Sequence, residues 1–128
     1  MARYFILIQI LLLFFLGGCQ EKPNPGEEKK EPFVYRVVIR EAITPASLDI
    51  LDSAVEQAEA DGASALIVIL DSPGGLMQSM DDMVRKILAS KVPVLGFVNP
   101  VGSSCGSACV FILYSSHVAA MSEATNLG

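Results

Sequence analysis

A chain of 128 residues that is 52% hydrophobic and 18% charged has enough apolar mass for one domain with a core. Its formal charge of −5, with no basic run after residue 40, excludes nucleic acid as a partner, because phosphate binding needs clustered Lys and Arg. One histidine and three cysteines leave little material for a metal site, and neither metal nor cofactor is expected.

The chain begins with Arg3 and an apolar run from Phe5 to Leu16 that only Gln9 interrupts. The run is shorter than the roughly 20 residues a membrane-spanning helix needs. A positive start, an apolar middle and small residues at the end read as a secretion signal over residues 1–18. Leu16-Gly17-Gly18-Cys19 resembles the bacterial lipobox. That resemblance implies a lipidated Cys19 and an exported protein anchored to a membrane of the cell envelope. The alternative is an ordinary signal peptide or a short signal anchor. Residues 19–32 follow, with Pro23, Pro25, Gly26 and Pro32 among Glu and Lys. Such a composition cannot bury a core and reads as a solvated tether.

The texture changes at Phe33. Phe33 to Arg40 is rich in β-branched and aromatic residues and predicts a strand, with Arg36 and Arg40 on one face marking an edge or partly exposed position. Thr44-Pro45 predicts a helix start, Leu48, Leu51, Val55 and Ala58 keep helical spacing, and Asp61-Gly62 closes the helix. Ala65 to Leu70 is apolar without alternation, as expected of a strand buried on both faces. After the loop Asp71 to Gly75, one helical face gathers Leu76, Met80, Met83, Val84, Ile87 and Leu88. Pro93 to Val98 predicts a third strand, Asn99 to Gly106 a loop, Ala108 to Tyr114 a buried helix, and Val118 to Met121 a further strand. The β-α-β-α-β-α-β rhythm predicts an α/β fold with a mostly parallel sheet and right-handed crossovers.

Chemistry in such sheets gathers at the carboxyl ends of the strands. Two strand-to-helix loops stand there: Asp71-Ser72-Pro73-Gly74-Gly75-Leu76 and Gly102-Ser103-Ser104-Cys105-Gly106-Ser107-Ala108-Cys109. Paired glycines before a helix let backbone N–H groups approach a ligand, as an oxyanion hole requires. Alone, Gly74-Gly75 reads equally as a tight turn. Ser107 stands among small residues at a helix start, with room around its hydroxyl and the Ala108 N–H beside it. Alone, it reads equally as a helix cap.

Taken together and in this order, the two loops resemble the ClpP/crotonase superfamily, and within it the NfeD-like membrane-bound serine proteases. The resemblance rests on Asp-Ser-Pro-Gly-Gly-Leu, on Pro-Val-Leu-Gly-Phe-Val, on Pro100 and Gly102, and on Ser107-Ala108; the ending Ala120-Met121 and Thr125 to Gly128 is similar too. It covers about residues 33 to 128, as a partial, C-terminally incomplete protease domain. It implies Ser107 as nucleophile, with Gly74, Gly75 and Ala108 supplying the oxyanion amides. It also implies a Ser–Lys dyad, peptide or membrane-protein substrates, and association into dimers or larger rings. The implied lysine lies some tens of residues after the serine, yet no lysine follows Lys91. Lys86 and Lys91 read as exposed, and His117 as a solvated loop histidine.

The sequence departs from the family at Cys105 and Cys109, where Ala and Gly are usual, and at Gly106, which replaces Ala. With Cys19 lipidated, the other two form an even pair that either bonds as a disulfide or packs as two small thiols. Two alternatives to the protease remain: an inactive envelope lipoprotein using the scaffold for binding or assembly, and a crotonase-type acyl-CoA enzyme. The export signal argues against the latter, because CoA is cytosolic.

Overall fold

A computed structural model describes residues 31–128. The expected signal peptide, Cys19 and the tether up to residue 30 lie outside the described residues. Strand β1 (Val34–Arg40) leads to helix α1 (Pro45–Asp61), β2 (Ala65–Asp71), α2 (Met77–Ala89) and β3 (Val94–Val98). Then come β4 (Ser104–Cys105), α3 (Ala108–Ser115), β5 (Val118–Met121) and β6 (Asn126–Leu127).

Local chemistry sets the ends of α1. The Thr44 hydroxyl accepts from Ser47 N–H at 3.4 Å, and Ser47 Oγ accepts from Thr44 N–H at 2.8 Å. This reciprocal capping satisfies donors that the helix start would leave bare. Pro45, which has no N–H to lose, opens the first turn. Gly62 ends the helix in the left-handed region, at φ 70° and ψ 41°.

The main sheet is parallel throughout, in the order β1-β2-β3-β5. Its register runs Val37 to Val68, Val68 to Gly96, and Gly96 to Ala119. Strands added successively on one side, through right-handed crossovers, bring their helices to one face. On that face Ile39, Leu66, Val68, Leu70, Val94 and Val98 are buried in a common core. The helices contribute Leu51, Val55, Met83, Ile87, Ile112 and Leu113 to the same core. Each fully buried Leu, Ile or Met side chain stabilises the fold by about 2 kcal/mol relative to an exposed one. Arg36 and Arg40 share the other face of β1, at the sheet edge, and both are exposed.

Three local expectations need correction. In β2 the helix-facing Leu66, Val68 and Leu70 are buried; on the opposite face Ile69 is buried too, but Ala65 and Ile67 are only half-buried. There Ile67, Leu95, Phe97 and Ala120 line a shallow apolar hollow. An unbroken apolar string shows that neither face is water-like; it does not show that both are covered. Leu76 and Leu88 are exposed, Leu88 at 66%. Met80, Met83 and Ile87 define the buried stripe of α2, Leu76 precedes the first turn, and Leu88 is rotated about 100° from Ile87. Helix α3 buries Cys109, Ile112 and Leu113 but exposes Phe111 and Tyr114.

The stretch expected as a plain loop contains β4, which pairs in parallel with β6. On its other side Cys105 bridges to Ser72: the Ser72 N–H donates to Ser104 O at 2.7 Å, and the Gly106 N–H donates to Ser72 O at 2.9 Å. This small layer joins the two loops of interest.

Candidate active site

The first loop is braced from beneath. Ser72 is completely buried at the end of β2, and its hydroxyl donates to Glu41 O and accepts from Gly74 N–H at 3.2 Å. The Ile43 N–H donates to Gly74 O at 2.8 Å, and the Leu76 N–H donates to Ile43 O at 2.9 Å. Residue 75 lies between those two bonds, so its own N–H points away from Ile43. A side chain at Gly75 would stand 2.5 Å from Ile43 N and 2.8 Å from Ile43 C, which only glycine avoids. Among the described residues the Gly75 N–H donates to no protein acceptor, whereas the Gly74 N–H is engaged by Ser72.

The second loop turns sharply at Ser107, which adopts φ 48° and ψ −118°. This is a positive-φ conformation that a non-glycine residue holds only at a cost of about 1–3 kcal/mol. The Cys109 N–H donates to Gly106 O at 2.9 Å, and the Val110 N–H donates to Ser107 O at 3.0 Å, so the helix bonding locks the turn. Ser107 is exposed, and its side chain makes no capping bond to α3. A capping serine has an extended backbone and spends its hydroxyl on the first turn; Ser107 does neither. Ala108 is the first residue of α3, and its N–H is one of the orphan donors of a helix start, without a partner among the described residues.

The loops meet backbone against backbone. A Cβ built on Gly74 would lie 2.7 Å from Ser107 Cβ, 2.8 Å from Gly106 O and 3.0 Å from Ala108 N. A Cβ on Gly106 would lie 2.8 Å from Pro73 O. The structure therefore brings Ser107, Gly74, Gly75 and Ala108 to one place at the carboxyl edge of the sheet. It leaves a hydroxyl and two amide donors uncommitted.

The other candidates lie elsewhere. His117 is exposed at the turn between α3 and β5, where its Nδ1 accepts from Val94 N–H at 3.1 Å. Val94 opens β3, so His117 sits at the amino edge of the sheet, opposite the loops. Lys86 is ion-paired with Asp52 at 2.6 Å and Glu56 at 3.2 Å on α1. The bond to Asp52, aided by Glu56, holds its pKa above the ordinary lysine value against a small opposing effect of burial. Lys91 is exposed, just before β3. Cys105 and Cys109 are free, buried thiols. The neighbouring Cys105 thiol, then burial and the charge of Asp71, push the Cys109 pKa upward. The brace at Ser72 and the strain at Ser107 carried no sequence signal: serine is common in turns, and a backbone angle leaves no trace in composition.

The architecture is that of the ClpP-like α/β class. It superposes on ClpP1 from Listeria monocytogenes with a TM-score of 0.58, at 17% identity, over 63% of this chain and 46% of that one. Closer likeness comes from a membrane protease of Pyrococcus horikoshii specific for a stomatin homologue: TM-score 0.73 and 38% identity over 77% of this chain and 50% of that one. A stomatin-specific membrane-bound protease in which a lysine is replaced by alanine, solved with a substrate peptide, matches at TM-score 0.74 and 39% identity, over 76% of this chain and 44% of that one. By sequence, a membrane-bound protease of Pyrococcus horikoshii is 36% identical over 123 residues, 96% of this chain and 26% of the relative. The membrane protein NfeD1b of Bacillus subtilis is 30% identical over 101 residues, 79% of this chain and 22% of the relative. The chain is thus homologous to this membrane-bound protease and to NfeD1b. It spans about a quarter of the length of these curated relatives. No family model matches it. Among the described residues no helix is long and apolar enough to cross a membrane.

Proposed function

We propose that this chain carries the nucleophile and oxyanion hole of a membrane-associated serine endopeptidase. Ser107 Oγ attacks a peptide carbonyl, and the oxyanion that forms is held by the N–H groups of Gly75 and Ala108. Gly74 serves as the contact that sets the gap between the loops, its own amide being engaged by Ser72. The observation that carries this reading is the exposed, strained Ser107 lying against the glycine loop with two amides free beside it. Preorganised donors of this kind each contribute about 10²–10³ in rate.

A serine needs a base to take its proton. The lysine replaced in the peptide-bound relative supports a lysine in that role. Lys86 is unsuited, because its partners on α1 keep it charged. The reading therefore takes the proton acceptor from outside residues 31–128. Lipidation at Cys19 would tether the domain to a membrane, where peptide segments of membrane proteins are its substrates, and self-association is part of the same reading.

The pairing of Lys86 with Asp52 and Glu56, which withholds it from the role of base, favours a second reading, a lipoprotein that uses the scaffold for binding or assembly without hydrolysis. Fluorophosphonate labelling of the extended protein, with the segment that supplies the proton acceptor, separates the two. Labelling that disappears in Ser107→Ala, with circular dichroism unchanged, supports the peptidase. Labelling that persists in Ser107→Ala ends it, and no labelling of the folded wild type favours the binding protein.

A further inference from the structure

Two thiols lie under the nucleophile, one on each side of it in the chain. Cys105 and Cys109 each stand two residues from Ser107. Both are fully buried in the common core, while Ser107 is exposed. Cys105 is fixed on both sides by pairing to Ser72 and Leu127, and its carbonyl accepts from Gly128 N–H at 3.1 Å. Cys109 is fixed by its N–H bond to Gly106 O at 2.9 Å. The two thiols lie close enough to affect each other's ionisation. Between these anchors lie only Gly106, Ser107 and Ala108.

We propose that Cys105 and Cys109 form a reversible oxidation site, closing to a disulfide beneath Ser107 and slowing attack by its hydroxyl. The disulfide itself rests on the thiol geometry; the effect on attack rests on the nucleophile proposed above. Two buried thiols on either side of a three-residue turn must bring their sulfurs to about 2.05 Å to become a disulfide. Rotation of the two side chains supplies part of that closure. The rest falls on the three residues between, because β4 and α3 are held by their own hydrogen bonds. Those three residues include the strained serine and one amide donor. A displacement of about 1 Å at a reacting centre costs on the order of 10²-fold in rate.

The chemistry balances with a small disulfide as oxidant. The Cys105 thiolate attacks one sulfur of the oxidant, forming a mixed disulfide and expelling one thiolate, which takes up the proton released by Cys109. The Cys109 thiolate then attacks Cys105 Sγ and expels the second thiol. Two protein thiols are oxidised and one small disulfide is reduced to two thiols. Cys105 attacks first because it borders β6, the short strand whose opening exposes it. Access comes through β6, a two-residue strand whose lifting uncovers Cys105. It is tied to the site by Asn126 N–H on Ser103 O at 3.0 Å and Gly128 N–H on Cys105 O. So short an element opens at low cost compared with the core strands.

The test equilibrates the full chain with oxidised glutathione, alkylates free thiols in denaturant, and maps peptides by mass. The expected product is a peptide in which Cys105 and Cys109 are unalkylated and two hydrogens lighter, reversed by dithiothreitol. Fluorophosphonate labelling of Ser107 should fall about 10²-fold on oxidation and recover on reduction. In Cys105→Ala and Cys109→Ala it should not respond to the oxidant. Full alkylation of both thiols in the oxidised sample overturns the site. A disulfide that leaves labelling unchanged overturns the switch. Should Ser107→Ala label as well as wild type, the nucleophile reading fails by itself; amide exchange over residues 106–110 then decides the site, with unchanged exchange on oxidation overturning it.

Discussion

The contact between the two loops can be loaded at one atom by Gly74→Ala. The new Cβ would lie 2.7 Å from Ser107 Cβ, where carbon atoms rest at about 3.5–4.0 Å. The loops must therefore part by about 1 Å. Gly74 also has φ +108°, and an L side chain there adds about 1–3 kcal/mol of backbone strain. For a domain of this size about 2 kcal/mol lowers Tm by roughly 10 °C, measurable by circular dichroism or calorimetry. The same parting moves Ser107 and Ala108 away from the first loop, and fluorophosphonate labelling should slow about 10²-fold. Gly62→Ala is the control. Gly62 has φ +70°, but a Cβ there meets nothing within 4 Å. It should cost about 1 kcal/mol and leave labelling unchanged. If Gly74→Ala proves no less stable than Gly62→Ala and labels at the wild-type rate, the loops do not touch as described and the site falls with them.

Ser72→Ala leaves Glu41 O and Gly74 N–H without their partner; a stability loss of about 1–3 kcal/mol in urea denaturation, with slower labelling, is the expected result. Thr44→Ala removes the side-chain cap of α1 but keeps the backbone bonds by which the neighbouring Ile43 braces the first loop, so it should cost about 1 kcal/mol in the same denaturation series with labelling close to the wild-type rate. Lys86→Met removes the ion pairs to Asp52 and Glu56, worth about 0.5 kcal/mol at this exposure. Because the folded pKa of Lys86 lies above its ordinary 10.5, that contribution is complete at pH 8 and fades only as the pH rises through the folded value. Denaturation midpoints of wild type and variant should therefore differ at pH 8 and converge in strong alkali, and added salt should narrow the gap at pH 8.

Much of the frame is written locally. Thr44-Pro45 and Asp61-Gly62 bracket α1 because a cap and a left-handed stop act within one turn of chain. The strands β1, β2 and β3 follow from runs of branched and aromatic residues, and the strand-helix rhythm then leaves few topologies other than a parallel sheet. Both loops, and Ser107 and the paired glycines within them, were legible for the same reason: each is a short pattern of unusual residues at a strand end.

Other features belong to the assembled fold. Whether Ser107 caps α3 or presents its hydroxyl depends on a backbone angle of φ 48°, held by helix bonds and by the Gly74 contact across 33 positions of sequence. Which of the two glycine amides is free depends on Ser72 reaching Glu41 and on Ile43 lying alongside. The two-residue strands β4 and β6 are too short to carry a period and exist because β6 on one side and Ser72 on the other bond to β4. The exposure of Leu88 and Phe111, and the half-open face at Ile67 and Phe97, follow from which neighbours arrive. Residue type states what a side chain avoids; packing between distant segments decides what it meets.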